Sequence, residues 1–157
     1  MQLLQEASIA GMPAASAVMD TVPHLLRFLR DNRRSSHLGL SFSQVGVLSY
    51  LSRHAGASLS ALTEYLGLTA PSASRQVDYL VRHGLVRREA GDSDRRLVRL
   101  ALTEAGAEML AAARQEAEAN LQAKFAGVSP GEQQKIERAM RRLQHLLEPA
   151  KGPGPAL

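Results

Sequence analysis

TAPSASRQVDYLVRHGLVRREAGDSDRRLVRLALTEAG, residues 69–106, decides the fold. Thr69 is an N-cap residue, Pro71 fits a first helical turn and Gly84 is a stop, so a helix is predicted over 70–84. Leu85 to Glu89 and Leu97 to Leu102 read as short strands joined by AGDSDRR. In the second strand Val98, Leu100 and Leu102 alternate with Leu97, Arg99 and Ala101, a period of two with one face buried. Seven arginines (75, 82, 87, 88, 95, 96 and 99) face four acids, Asp78, Glu89, Asp92 and Asp94. Residues 75–99 thus hold 7 − 4 = +3 of the chain's formal +4. A polar helix beside a charged hairpin tip, together carrying most of the net charge, is the footprint of a surface for a polyanion.

Outward from this stretch the chain reads as helices. Ser58 or Ser60 opens a short one through Leu62 and Leu66 to Gly67, and helix, glycine turn, helix is the helix-turn-helix arrangement. Ser41 with Gln44 forms a capping box for the helix before it, whose stripe is Val45, Leu48 and Leu51. Residues 13–34 carry Val18, Val22, Leu25, Leu26 and Leu29 on one face, with Pro23 predicting a kink or a restart near Thr21. Thr103 caps a long Ala-rich helix with the narrow stripe Leu110, Ala113, Ala117, Leu121 and Phe125. Ser129, Pro130 and Glu132 start a last helix with Ile136, Met140, Leu143 and Leu147. The fold class is therefore mostly α with a small β-wing, a winged helix-turn-helix over 41–102 between flanking helices. Residues 1–12 read as an arm and 149–157 as a flexible tail.

Length and composition set the outer limits. At 157 residues one domain can bury a core, and with only 4% aromatic residues that core must be Leu, Val and Ala. The absence of Cys excludes disulfides, thiolate zinc sites and iron–sulfur clusters. No apolar run approaches the ~18 residues of a membrane span, and the N-terminus lacks the basic region of a signal peptide, so a soluble cytoplasmic protein is expected. The histidines at 24, 37, 54, 83 and 145 form no close ligand pair, so no metal is expected. No nucleophile elbow, phosphate-binding glycine loop or H-E-x-x-H motif is present, so neither an enzyme nor a cofactor is expected.

Turning the 70–84 helix at 100° per residue places Ala73, Val77, Leu80 and Val81 in one arc, and Pro71, Ser72, Arg75, Asp78, Tyr79 and Arg82 opposite it. Small hydroxyls allow close approach to a major groove, and an arginine such as Arg75 can bond O6 and N7 of guanine together. Ser74 sits at the arc's edge, facing phosphate, and Gln76 on its rim. At the wing tip Asp94 can hold a neighbouring arginine, Arg95 or Arg96, for a minor groove. A plain solvated helix face and a solubilising turn offer the same residue types; the two features at this spacing are more specific than either alone.

From about Ser41 to Gly106 the sequence resembles the MarR family of transcription factors. Asp94 to Thr103 fits that family's D-x-R-x5-L-T pattern, followed by Glu104-Ala105-Gly106, and HGLVRR at 83–88 fits the end of its recognition helix and first wing strand. Thr63, where Ala is usual, and Gln76, where an apolar residue is usual, depart from it. The resemblance implies a homodimer with 13–34 and 103–148 as dimerisation helices, the 70–84 helix in the major groove and Arg96 in the minor groove. It implies a palindromic double-stranded operator and regulation, as a repressor, by a small aromatic or phenolic anion. His24, Arg27 and His37 are the candidate ligand residues; a surface ion pair for Arg27 and ordinary hydrogen bonds for the histidines are the alternative. The competing class is a winged-helix module that docks a protein instead of DNA, which calls for an apolar helix face and a neutral wing.

Overall fold

The computed structural model describes residues 13–34, 36–90 and 98–147. In chain order they form α1 (Pro13–Arg34), α2 (Phe42–Arg53), β1 (Ala57–Ser58), α3 (Leu59–Leu66), α4 (Ala70–Arg82), β2 (Val86–Ala90), β3 (Val98–Leu102), α5 (Glu104–Lys124) and α6 (Pro130–Leu147). The protein is mostly α with a small antiparallel sheet, as the sequence predicts. It divides into two compact units, one running to Glu118 and the other from Ala119, so α5 begins in the first and ends in the second. The expected arm, the wing tip with Asp94, Arg95 and Arg96, and the expected tail lie outside the described residues.

Local chemistry starts the helices of the first unit. The Ser41 hydroxyl accepts from the Gln44 amide at 3.3 Å while Gln44 Oε1 accepts from the Ser41 amide at 2.7 Å, completing the capping box of α2. Ser58 caps α3 by accepting from the Ala61 amide at 3.2 Å. Thr63, the departure within α3, turns its hydroxyl back to the Leu59 carbonyl at 2.7 Å, so its polar atom is satisfied inside the helix. Thr69 occupies the N-cap of α4, but its hydroxyl makes no cap bond. Pro71, with its fixed φ, and the Ala73 amide donating to the Thr69 carbonyl at 2.9 Å set that first turn instead. Leu48 and Leu51 of α2, Leu62 of α3, Val77 and Leu80 of α4, and Val86 and Leu100 of the sheet are fully buried. Burial of each contributes roughly 1.5–3 kcal/mol relative to leaving it in water.

The structure corrects the sequence reading at two places in the sheet, and of the two alternatives at Pro23 it excludes the restart. Helix α1 runs through Pro23 without restarting. Proline removes one donor there, but residues 19–25 are exposed and the freed carbonyl is open to water. Just before it, the Thr21 hydroxyl donates to the Ala17 carbonyl at 2.7 Å. The sheet has a third strand, β1, pairing antiparallel with β3 (Ala57 opposite Leu100, Ser58 opposite Arg99), so the order is β1-β3-β2. Two residues are too few to show a period. In the central strand β3, Ala101 is buried beside Leu100 whereas Val98 is half exposed, because only the end nearer α5 is covered on both faces.

The base of the wing is the tightest point. Gly84 takes φ +69°, which side-chain-bearing residues rarely adopt, and the Leu85 amide donates to the Leu80 carbonyl at 2.9 Å to close α4. The Leu85 carbonyl then accepts from the Thr103 amide at 3.1 Å. Thr103 Oγ1 donates to the Gly84 carbonyl at 2.7 Å and accepts from the Gly106 amide at 3.0 Å, so one hydroxyl caps α5 and ties it to the end of α4. A Cβ on Gly106 would stand 2.0 Å from the Leu85 carbonyl oxygen.

In the second unit, α6 starts as expected: the Ser129 hydroxyl accepts from the Glu132 amide at 3.4 Å. The Gln133 side chain donates to the Val128 carbonyl at 2.9 Å, holding the turn after α5. Ile136, Met140, Leu146 and Leu147 of α6 are exposed large apolar residues.

Because the obstacle at Gly106 is backbone, Gly106→Ala should destabilise the protein by an amount at or above the upper end of the ~1–3 kcal/mol usual for overpacking. Thermal unfolding checks this; an unchanged midpoint would mean that the approach of α5 to Leu85 is not tight.

Candidate nucleic-acid interface

Helix α4 is held by its apolar arc: Ala73, Val77 and Leu80 have no exposed surface and Val81 is half-buried. What remains faces outward. Pro71, Arg75 and Arg82 are exposed, while Ser72, Ser74, Gln76, Asp78 and Tyr79 are half-buried. The structure therefore brings together the residues of the 70–84 helix that the wheel grouped, with Gln76 on the rim. Tyr79 is less free than the wheel implies. It packs against the core and stacks on His83 with ring centroids 4.0 Å apart. His83 Nδ1 lies 2.8 Å from the Tyr79 carbonyl, an acceptor only, so that nitrogen carries the proton.

The charges on this face are arranged unevenly. Arg75 and Arg82 make no ion pair among the described residues; Arg82 Nε donates only to the Asp78 carbonyl at 3.4 Å. The Asp78 carboxylate instead accepts from Arg88 of β2 at 2.5 Å, and from the Ser74 hydroxyl at 3.5 Å. Arg75, Arg82 and Arg88 line one shallow groove of about 570 Å³ with Gln44, Gln76, Asp78, Tyr79 and Val81. Arg88 is a member of this surface that the sequence reading left out. Its signal was its position four residues past the Gly84 stop, which is enough chain to return along α4. Asp94, Arg95 and Arg96 lie outside the described residues.

The three candidate ligand residues are not gathered in one site. His24 and Arg27 are exposed on α1, with Arg27 3.7 Å from Asp31 in a pair one turn apart, and His37 is exposed in the turn after α1. None of them lines the cavity of about 410 Å³ bounded by α1, α2 and α5. Its walls are Leu29, Phe42, Val45, Leu110, Ala113 and Ala117, with Ser49, Ser52, Arg53 and Arg114 as the polar groups. Arg53 Nη2 is shared between the Ser49 hydroxyl at 3.4 Å and the Tyr65 hydroxyl at 3.5 Å. Arg114 is hydrogen-bonded to Glu118 at 2.7 Å, and that bond and the opposite charge push its pKa further up, so it stays cationic. No local pattern announces this cavity, because its walls come from positions up to 88 apart, Leu29 and Ala117. Among the described residues no three His, Asp or Glu side chains are placed to hold a metal ion, and no helix is long and apolar enough to cross a membrane.

A helix pair ending in an outward-facing basic helix, braced by an antiparallel hairpin, defines a winged helix-turn-helix protein. Residues 38–97 match a sequence model described as the MarR family. Over 114 residues the chain is 28% identical to the uncharacterized HTH-type transcriptional regulator YfiV of Bacillus subtilis (strain 168), covering 73% of this chain and 71% of YfiV. A mutant MarR from E. coli matches in structure with a TM-score of 0.73 at 21% identity, covering 85% of this chain and 97% of that one. A mutant MepR of S. aureus bound to an oligodeoxyribonucleotide matches with a TM-score of 0.60 at 19% identity, covering 87% of this chain and 100% of that one. Over residues 38–97 the chain is thus similar in sequence to the MarR family, and its fold is that of the MarR structures.

Thr103 links the stop of α4 to the start of α5, so its hydroxyl should matter more than its methyl. Thr103→Val keeps the shape and leaves the Gly84 carbonyl and Gly106 amide without that partner, a loss of roughly 1–3 kcal/mol. Chemical denaturation with an unchanged m-value checks it; a difference below about 0.5 kcal/mol would show that water replaces the hydroxyl.

Proposed function

We propose that this chain is a sequence-specific double-stranded-DNA-binding transcriptional regulator, not an enzyme, acting as a homodimer on a palindromic operator. The observation that carries the reading is the outward face of α4: Arg75 and Arg82 are exposed and without an ion pair among the described residues, while the opposite arc is fixed in the core. Unpaired guanidinium groups on a helix flanked by small hydroxyls suit base edges and phosphates. The match of residues 38–97 to the MarR family model and the DNA-bound state of the similar MepR support the same reading. A protein-docking winged module is disfavoured, because the exposed α4 face carries arginines in place of apolar side chains.

In this reading Ser72, Ser74, Arg75, Gln76, Tyr79 and Arg82 meet the major groove with Pro71 at the helix start, and Asp94, Arg95 and Arg96 serve the wing tip. Residues 13–34 and 103–148 form the dimer interface. The exposed apolar side chains Met19, Val22 and Leu25 on α1, and Ile136, Met140 and Leu147 on α6, are the surface a second copy would cover. Two-fold symmetry then sets half-site centres about 10 base pairs, one helical turn, apart. Regulation is repression released by a small aromatic or phenolic anion. The mainly apolar cavity holding Arg53 and Arg114 suits such a ligand better than the exposed His24, Arg27 and His37 do.

Anisotropy titrations over a salt series with the DNA upstream of this gene test the reading. Arg75→Ala should cost roughly 1–3 kcal/mol at particular base pairs. Arg96→Ala should weaken binding to many sequences and flatten the salt dependence by about one phosphate contact. Wild-type affinity in both variants would remove these residues from the interface. Met140→Glu should shift the protein towards monomer in light scattering and lower operator affinity at least tenfold; an intact dimer would show that α6 lies outside the interface.

A further inference from the structure

Asp78 is an acid in the middle of a surface that, on the reading above, meets a polyanion. At 100° per residue it lies on the outward face of α4 between Ser74 and Arg82, one turn from Arg75. Left alone it would repel phosphate. The structure pairs it with only one of the three arginines in its groove: Arg88 of β2, at 2.5 Å, in a pair whose side chains are 45% and 43% exposed. Its second oxygen faces the Ser74 hydroxyl at 3.5 Å.

We infer that Asp78 is a specificity-determining positioning residue, holding Arg88 away from phosphate and fixing β2 against α4 so that non-operator DNA is bound weakly. This rests on the DNA-binding reading. Arg88 is long enough to reach the groove that Arg75 and Arg82 line, and a third unpaired guanidinium there would add affinity for any duplex, because phosphate contacts carry no sequence information. The Asp78 carboxylate withholds that contact. It leaves Arg75 and Arg82 free, because the one bond between Asp78 and Arg82 uses the backbone carbonyl of Asp78. The same pair crosses from helix to sheet: Arg88 lies in strand register opposite Leu100, a fully buried residue, so the acid ties α4 to a strand whose neighbour is rooted in the core. Specificity is a difference of affinities, and lowering the affinity for the wrong duplex is one way to widen it.

The test uses the full chain, a duplex selected by the wild type from a random pool, and an unrelated duplex of equal length. Asp78→Asn should raise affinity for the unrelated duplex about tenfold and steepen its salt slope by about one contact, while affinity for the selected duplex changes less, so discrimination falls. Arg88→Gln in the same chain should return the unrelated duplex to near its wild-type affinity. Arg88→Lys alone, which keeps the charge pair, should preserve discrimination. A uniform loss for both duplexes with an unchanged salt slope would make the pair merely structural and overturn the inference, as would unchanged discrimination in Asp78→Asn. A wild type that bound no duplex at low salt would overturn the DNA-binding reading first, and this inference with it.

Discussion

The first unit depends on the contact between Gly106 and the Leu85 carbonyl. There the end of α4, the residue leading into β2, the residue following β3 and the start of α5 share one set of backbone and hydroxyl hydrogen bonds. Two glycines make the junction possible, Gly84 by its left-handed turn and Gly106 by its missing Cβ. The consequence is that α4 and the hairpin cannot change their angle independently of α5. The face that α4 shows to solvent is fixed from behind by Ala73, Val77 and Leu80 and from its end by this junction.

On that fixed face, charge is sorted by pairing. Arg87 is held by Glu89 at 2.5 Å and also donates to the Leu102 carbonyl at 3.3 Å; Arg88 is held by Asp78. These bonds turn the two arginines of β2 into parts of the scaffold. Arg75 and Arg82, on the helix, make no ion pair among the described residues. Exposed pairs of this kind add little stability, about 0–1 kcal/mol each, so their effect is on where a guanidinium stands more than on how firmly the chain folds. Sequence charge counts cannot see this distinction, because they weigh a paired and an unpaired arginine alike.

Much of the fold was legible because its signals are local. The capping box at Ser41 and Gln44, the stops at Gly67 and Gly84, the first-turn proline Pro71 and the cap at Thr103 each sit within four residues of the feature they specify. The outward face of α4 was legible for the same reason, since a helix fixes which side chains share a side. The misses in the sheet are tertiary. β1 exists only because β3 lies alongside it, and Ala101 is buried by what covers the sheet, not by its own alternation. The cavity behind Arg53 joins segments distant in sequence, and no period or motif connects them.

The pinning of the hairpin at its base couples its two legs. Val86 pairs with Leu102 and Thr103 bonds to Gly84, so both legs are fixed at the end nearest the core, and the core residues they contribute, Val86 and Leu100, lie near that end. A disturbance at this base therefore reaches β2 and β3 together: the hairpin moves against α4 as one lever, with the Gly84 turn as its fulcrum.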